Sequence, residues 1–190
     1  MKTLVISLKI FLFFTLLTGI IYPLLVTGIA QIIFPAKANG SLIIRGSKKV
    51  GSELIGQQFT SPLYFSSRPS AISYNPLPSG GSNFGLTNLK LKKIADSCEK
   101  QFIAFNQLDS RTEIPSEMIF ASASGLDPHI SPEAALLQVD RIAEARRFNV
   151  IQKQKLVQCI KDLSEPPQFL CLGEERLNVL LLNLATDQIK

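Results

Sequence analysis

Residues 121–146, with the sequence ASASGLDPHISPEAALLQVDRIAEAR, decide how the chain is organised. The apolar run at 118–121 leads into this stretch and is typical of a short buried strand. A helix start follows, because Ser131 suits the N-cap, Pro132 the first helical position and Glu133 the positive first turn. A strand, a polar turn and a capped helix predict a place where functional side chains can lie.

Small and polar residues fill this turn: Ser122, Ser124, Gly125, Asp127 and His129, the only histidine. A hydrolytic triad of Ser124, Asp127 and His129 is one hypothesis, but triad members within six positions rarely reach the required geometry. A zinc site needs three or four ligands, and this turn supplies two. We predict no catalytic residue and no metal site. We expect Asp127 to cap the turn and His129 to bond locally, with a partner contact as the alternative.

A long apolar segment precedes the rest of the chain. The 25 residues from Ile10 to Phe34 carry no charge, and as a helix they would reach about 37 Å, enough for a hydrocarbon core of about 30 Å. A cleaved signal peptide is the alternative, since Ala36-Lys37-Ala38 resembles a cleavage site, but a signal core is shorter. We predict a short tail at 1–9, a transmembrane helix at 10–34 and a soluble domain at 35–190.

Composition excludes several other classes of function. The chain carries a formal net charge of +5 and has no cluster of arginine with aromatic residues, so no nucleic-acid partner is predicted. Its three cysteines are odd in number and lack C-x-x-C spacing, which argues against a zinc site and a disulfide framework. Buried free thiols are expected, with a bridge between Cys159 and Cys171 as the alternative.

Residues 61–88 are rich in Ser, Pro, Gly and Asn but also carry aromatic side chains. Because a flexible linker gains nothing from aromatic residues, we predict an ordered, irregular loop packed by its own side chains. The Ser79–Gly85 segment lacks the lysine followed by Ser or Thr that a Walker A loop requires. A phosphate-binding loop is therefore not predicted here.

The remaining pattern predicts a mixed domain of helices and strands, an α+β fold behind a single N-terminal transmembrane helix. Apolar residues recur at helical spacing along one segment and predict a core stripe: Leu91, Ile94, Ala95, Cys98, Phe102 and Phe105. Strands are predicted at 41–46 and 177–184 and helices at 132–148 and 150–163, the latter with a capping box of Asn149 and Gln152.

The polar turn and its helix resemble the signature of the C subunits of Kdp-type potassium-transporting ATPases. The match runs through SASGLDPHISPEAA and extends to Gln138 and Arg141. Other matching residues lie across nearly the whole chain: 51–57, 64–65, 68–70, 74–75, Ser82 and Asn83 within 79–83, Asn178 and Asn183. The chain departs from the family at 85–88, where Gly-Leu-Thr-Asn replaces Gly-Pro-Ser-Asn.

The resemblance implies a non-catalytic accessory subunit of an ATP-driven potassium uptake complex. Its partners would be a channel-like subunit, a P-type ATPase subunit and membrane lipid. It also implies a catalytic chaperone that raises the ATP affinity of the ATPase subunit, with Gln138 at the implicated position. Arg141, one turn on, could then meet phosphate. No tightly bound cofactor is implied, only transient ATP. A solvated helix face is the other interpretation of these two residues.

The side of the membrane is open from the residues alone. Slightly more positive charges follow the apolar segment than precede it, which by the positive-inside rule favours a cytoplasmic domain. Large domains, however, translocate largely regardless of charge. The resemblance implies a bacterial inner membrane, a cytoplasmic N-terminus and an extracytoplasmic domain, which could not meet cytoplasmic ATP. A membrane-anchored extracytoplasmic binding module and a hydrolase are the rival classes.

Overall fold

The computed structural model describes residues 1–169 and 171–190. Two compact units make up the chain, Met1–Ser52 and Glu53–Lys190. The predicted fold class is confirmed, since one long apolar helix at the N-terminus is followed by a mixed α/β region.

The first unit is dominated by that apolar helix. It comprises α1 (Lys2–Leu16), a π-helical turn (Leu17–Ile21) and α2 (Tyr22–Ile33). By length and composition, Lys2–Ile33 is a candidate membrane span. The helix begins well before the predicted start at Ile10, so the segment predicted as a tail is helical. The π-turn ends two residues before Pro23, a residue that has no amide hydrogen.

A short helix and a hairpin complete the first unit. Helix α3 (Pro35–Ala38) leads to β1 (Leu42–Arg45), which pairs antiparallel with β2 (Lys48–Ser52). The strand predicted at 41–46 is thereby confirmed. A bulge interrupts the pairing between Ile43 and Ile44.

The second unit is built mainly from helices around one apolar core. Its elements are α4 (Leu89–Asn106), a 3₁₀ turn (Ser116–Met118), β3 (His129–Ile130), α5 (Pro132–Leu136), α6 (Val139–Ala145), α7 (Val150–Leu163), β4 (Leu177–Asn178) and α8 (Val179–Thr186). Helix α7 packs against α5, α6 and α8. The capping box of Asn149 and Gln152 is present at its start. Strands β3 and β4 pair antiparallel, placing His129 opposite Asn178.

Two predicted strands are wrong. The run at 118–121 does not form an extended strand after the 3₁₀ turn, because the amides of Ile119 and Phe120 both donate to the carbonyl of Ser116. The run at 177–184 is extended for only two residues and then forms α8. There the side chain of Asn178 accepts hydrogen bonds from the amides of Leu180 and Leu181, which starts a helix.

Two predicted helices differ from the structure in detail. The helix expected at 132–148 is divided into α5 and α6, with a turn at 137–138 where the amide of Gln138 donates to Ala135. On α4 the predicted core stripe is mostly not core: Phe102 is buried, whereas Ile94 is 47% exposed. All three cysteines are free, and Cys171 is exposed, contrary to the buried thiol expected there.

Aromatic residues of the irregular loop at 61–88 contact other parts of the second unit. Phe65 is completely buried in the core, and the Tyr64 ring lies 6.1 Å from that of Phe59. The Tyr74 hydroxyl donates to the carbonyl of Arg68, and burial raises the pKa of Tyr74 to about 12. From α8, the amide side chain of Asn183 accepts from the Phe65 N–H at 2.7 Å and donates to its carbonyl at 3.0 Å.

Candidate functional site

The polar turn at 122–129 lies between two other irregular segments of the second unit. On one side, the amide of Gly56 donates to the carbonyl of Leu126 at 2.7 Å. A Cβ on Gly56 would lie 2.6 Å from the carbonyl oxygen of Asp127, so only glycine permits this approach. On the other side, the amide of Gly80 donates to the carbonyl of Ser124 at 3.1 Å. The turn is thus fixed from both sides by backbone hydrogen bonds.

Gly125 allows the turn itself. Its φ of +69° lies in the left-handed region, and a Cβ there would be 2.6 Å from Cγ1 of Ile72. The Ser70 hydroxyl donates to the Gly125 carbonyl at 2.7 Å. The small residues of the signature therefore have a packing role, because they let the loop at 70–81 close over the turn.

The Asp127 carboxylate joins the turn to the segment that carries Arg68. One carboxylate oxygen accepts from the amide of His129 at 3.0 Å, with the His129 Nδ1 at 3.3 Å, which agrees with the predicted cap and local bond. The other oxygen accepts from Arg68 at 2.7 Å. Burial alone would raise the pKa of Asp127, but the hydrogen bonds from His129 and the charge of Arg68 outweigh it and lower that pKa to about 2. Asp127 is therefore an ionised anchor at neutral pH.

The hydrolase hypothesis gains no support from the two serines. Ser124 is exposed, and its hydroxyl oxygen accepts from the amide of Leu126. The Nδ1 of His129 faces Asp127, but Ser124 makes no hydrogen bond to His129 among the contacts of the described residues. Ser122 is buried, and its hydroxyl has no partner among those residues. Ser124, His129 and Asp127 therefore do not form the linked hydrogen bonds that a hydrolytic triad requires.

Gln138 is completely buried, so the prediction of a solvated helix face is wrong. Its amide oxygen accepts from the Ser66 amide at 2.8 Å and from Arg141 at 3.1 Å, while its nitrogen donates to the Ala134 carbonyl at 3.2 Å. The side chain joins α6 to the loop that carries Phe65. That Gln138 contacts ATP stays a prediction, but in this structure its polar atoms all face the protein.

Arg141 is 4% exposed and is held in the same way. Its guanidinium donates to Asn106 at 2.8 Å, to the Pro62 carbonyl at 2.6 Å and to the Tyr64 carbonyl at 3.0 Å. It also lies 4.3 Å from the centre of the Phe105 ring. Burial lowers the pKa of Arg141 to about 10, which leaves it charged at neutral pH. The guanidinium presents no free edge to a phosphate in this structure.

The remaining predicted residues lie at two places. Ser82 and Asn83 are exposed, and Asn83 has a φ of +53°. Asn178 is buried, caps α8 and donates to the Glu53 carbonyl at 2.8 Å. The exposed pair and the buried asparagine therefore do not form one site with Gln138 and Arg141.

An apolar groove of about 570 Å³ runs along α4 on one side of the turn, and a more polar cavity of about 410 Å³ is lined by Arg68, Asp127 and His129. On α4 it is lined by Leu91, Ile94 and Cys98, and opposite them lie Phe84 and Phe120, which are 37% and 40% exposed. Exposed apolar residues that line a groove are typical of a surface for protein contact. The residues predicted to form a core stripe on α4 thus line a surface.

Three residues that hold this region together were not predicted from the sequence. Arg68 pairs with Asp127, Asn106 accepts from Arg141, and Arg146 binds Asp187 at 2.9 Å. Each joins segments that are far apart in the chain, so no local spacing marks them. The one usable signal was that Arg68 lies in a segment that matches the family.

The comparisons with known proteins cover almost the entire chain. Residues 4–188 match the family described as "K+-transporting ATPase, c chain", which makes the class that of a subunit of a potassium-transporting ATPase. The chain is 44% identical to the "Potassium-transporting ATPase KdpC subunit" of Caldanaerobacter subterraneus over 97% of this chain and 94% of the relative. It is 47% identical to the protein of the same name from Polaromonas naphthalenivorans, over 97% and 93%.

The protein of that name from Photorhabdus laumondii is 45% identical over 96% of this chain and 94% of its own length. Identity at this level along the whole length, together with the family match, shows the family. The chain belongs to the KdpC family of potassium-transporting ATPase subunits.

Proposed function

We propose that this chain is a non-catalytic, membrane-anchored subunit that stabilises an ATP-driven potassium uptake complex. Its partners in that complex are a channel-like subunit and a P-type ATPase subunit. The apolar helix Lys2–Ile33 anchors it in lipid as a single pass. Family membership identifies the chain as a subunit, and the proposal adds that this subunit stabilises the complex.

One observation carries the proposal. The polar side chains of the signature are used inside the domain, where Asp127, Gln138 and Arg141 all bind other parts of the same chain. A site for a substrate would instead leave such groups open to solvent. The apolar groove along α4 stays open to solvent, and its apolar lining suits a protein partner.

An effect on the ATP affinity of the ATPase subunit fits the same proposal if it acts through subunit contact. Direct contact through Gln138 would require the backbone at Ser66 to move away, because that amide binds the Gln138 oxygen at 2.8 Å. We propose that the ATPase subunit binds the nucleotide and that contact with this chain changes the conformation of the ATPase subunit. No cofactor is assigned to this chain.

We place the chain in the bacterial inner membrane, with its N-terminus in the cytoplasm and the domain Glu53–Lys190 outside. In that arrangement the domain has no access to cytoplasmic ATP, in keeping with an indirect effect. Protease treatment of intact spheroplasts that carry a C-terminal tag tests this topology. A tag that is cut only after lysis would place the domain inside and contradict it.

The assembly role is tested by co-purification. The chain is co-produced with the channel-like and P-type ATPase subunits and is recovered from detergent through a tag on the ATPase subunit. We expect the wild-type chain to be retained and Ile94→Asp, in the groove, to be lost. The exposed control Ile151→Asp on α7 should be retained. A wild-type chain that is monodisperse and never retained would favour the free-standing binding module.

ATP dependence is tested on the assembled complex with Gln138→Ala. If Gln138 acts through folding, the variant lowers the amount of assembled complex but leaves the apparent ATP affinity of the complex that does form unchanged. A lower ATP affinity with normal assembly would support direct contact.

A further inference from the structure

The π-turn inside the apolar helix leaves two backbone carbonyls without their usual donors. The amide of Tyr22 donates to the carbonyl of Leu17, five residues back, and so bypasses Thr18. The α-helical donor for Gly19 would be the amide of residue 23, and Pro23 has no amide hydrogen. Two adjacent carbonyls, those of Thr18 and Gly19, thus lose the hydrogen bonds that a regular helix provides.

These carbonyls lie deep in the span. Gly19 is nine residues after Ile10, the first residue of the uncharged run, or about 13 Å along a helix, in a hydrocarbon core of about 30 Å. No water is present at that depth to donate a hydrogen bond, and a backbone carbonyl without a donor there is costly in free energy. The feature is therefore unfavourable for a helix that is surrounded only by lipid.

The helix does not repair the loss with its own nearest hydroxyl groups. The Thr15 hydroxyl donates to the Phe11 carbonyl at 2.8 Å, and the Thr18 hydroxyl donates to the Phe14 carbonyl at 2.7 Å. Both hydroxyls therefore point toward the N-terminus, away from the π-turn. Gly19 adds no side chain beside its carbonyl, and apart from its neighbours and the helix backbone no atom of the described residues lies within 4 Å of where its Cβ would be.

We propose that the π-turn Leu17–Ile21 is the docking point for a transmembrane helix of a partner subunit that carries a hydrogen-bond donor side chain at this depth. The inference rests on the proposed membrane anchoring and deepens it by naming the contact. A Ser, Thr, Asn or Gln side chain on the partner would donate to the Thr18 or Gly19 carbonyl. The absence of a Cβ at Gly19 lets the two backbones approach closely.

A helix fits this place better than lipid. Acyl chains carry no hydrogen-bond donor, and lipid headgroups lie outside the hydrocarbon core. Membrane helices, in contrast, associate through small residues and interhelical hydrogen bonds, and π-turns recur at functional positions in helices. The donor side chain of a neighbouring helix is thus the group that completes the π-turn.

The test restores the missing amide. Pro23→Ala supplies a donor to the backbone, so the helix can satisfy its own carbonyls and the partner loses its acceptor. The complete chain and its partner subunits are solubilised, and the fraction that stays associated is followed on dilution. We expect Pro23→Ala to weaken association about threefold to thirtyfold, the range measured for single hydrogen bonds between membrane helices.

A second pair of variants keeps Pro23 and tests close approach. Gly19→Leu adds bulk at the π-turn and should weaken association, whereas Gly28→Leu adds the same bulk outside the turn, where space is equally open, and should not. All variants are compared at equal amounts in the membrane fraction. Association of both Pro23→Ala and Gly19→Leu at the wild-type strength overturns the inference while leaving the proposed function intact.

Loss of self-association, with partner binding unchanged, would overturn it in favour of a second copy of this chain. If the wild-type chain is not retained by its partners, the proposed function fails and this inference fails with it.

Discussion

Asn183→Ala removes a side chain that holds the loop at 61–88 to the last helix. The Asn183 amide accepts from the Phe65 N–H at 2.7 Å and donates to the Phe65 carbonyl at 3.0 Å. Asn183 is 2% exposed and Phe65 is completely buried, so water cannot replace either bond. The variant therefore leaves one backbone donor and one backbone acceptor buried without partners.

The expected loss of stability follows from those two groups. An unsatisfied buried donor or acceptor costs about 1–3 kcal/mol, so two of them cost about 2–6 kcal/mol. Small domains have a free energy of unfolding of about 5–15 kcal/mol, so this is a large share of the total. The effect involves no ionised group and needs no correction for salt.

Urea unfolding of the full chain in detergent, followed by far-UV circular dichroism, measures this free energy, since the chain has no tryptophan. The matched control is Gln154→Ala, an exposed amide on α7, which should change stability by less than about 0.5 kcal/mol. Asn183→Asp adds a second readout. It keeps the acceptor for Phe65 but faces the Phe65 carbonyl with a carboxylate.

The pH dependence of Asn183→Asp follows from burial. Desolvation raises the pKa of a buried carboxyl, so the folded state favours the protonated form. Relative to Asn183→Ala, the aspartate variant should gain stability as the pH falls below that raised pKa and lose it as the pH rises. An Asn183→Ala chain within 1 kcal/mol of the wild type would show that the amide does not hold this loop.

Three further predictions concern the polar turn and its neighbours. Because the pKa of Asp127 falls from 3.8 to about 2, its carboxylate contributes about 2 kcal/mol that is complete above about pH 4 and lost between about pH 4 and 2. Asp127→Asn should be less stable at neutral pH and lose less over that interval in urea unfolding, whereas parallel pH curves would contradict the lowered pKa of Asp127. Gly125→Ala should cost about 1–2 kcal/mol for the left-handed backbone and about 1–3 more for overlap with neighbours. Gly173→Ala, which has a positive φ but open space, should show only the first cost in thermal unfolding, and equal losses would refute the close packing. Asn178→Ser keeps a capping oxygen and loses only the donor to Glu53, about 1 kcal/mol, while Asn178→Ala loses both, about 2 kcal/mol. Equal unfolding free energies for the two Asn178 variants would rule out a separate cap contribution.

Local signals in the sequence predicted much of the helical structure. The side chains of Ser131 and Asn149 cap α5 and α7, as their positions before a helix indicated. The long apolar run predicted the N-terminal helix, although its charged first turns left the start at Lys2 unmarked. In each case the deciding interactions are within four residues, so the pattern contains the physical cause.

The failures have the opposite cause. The run at 177–184 is apolar throughout, and periodicity alone cannot separate a buried strand from a buried helix of that length. The burial of Gln138 and Arg141 depends on carbonyls and amides more than 70 residues away in the chain. A helical pattern around 132–148 describes one face of a helix but not the loop that covers another face. The solvated helix face considered for Gln138 and Arg141 is therefore wrong, whereas the partner and nucleotide roles of the candidate residues stay predictions.

The tie between Phe65 and Asn183 also governs when this domain can form. These residues are 118 positions apart, and Asn178 bonds to Glu53 over 125 positions. Chain synthesis proceeds from the N-terminus, so the apolar helix emerges long before α8 exists. Because contacts of such long range close late, the segments around the polar turn must wait for the final residues to leave the ribosome. A ribosome stalled before residue 178 would carry the complete apolar helix and an unfinished, protease-sensitive domain.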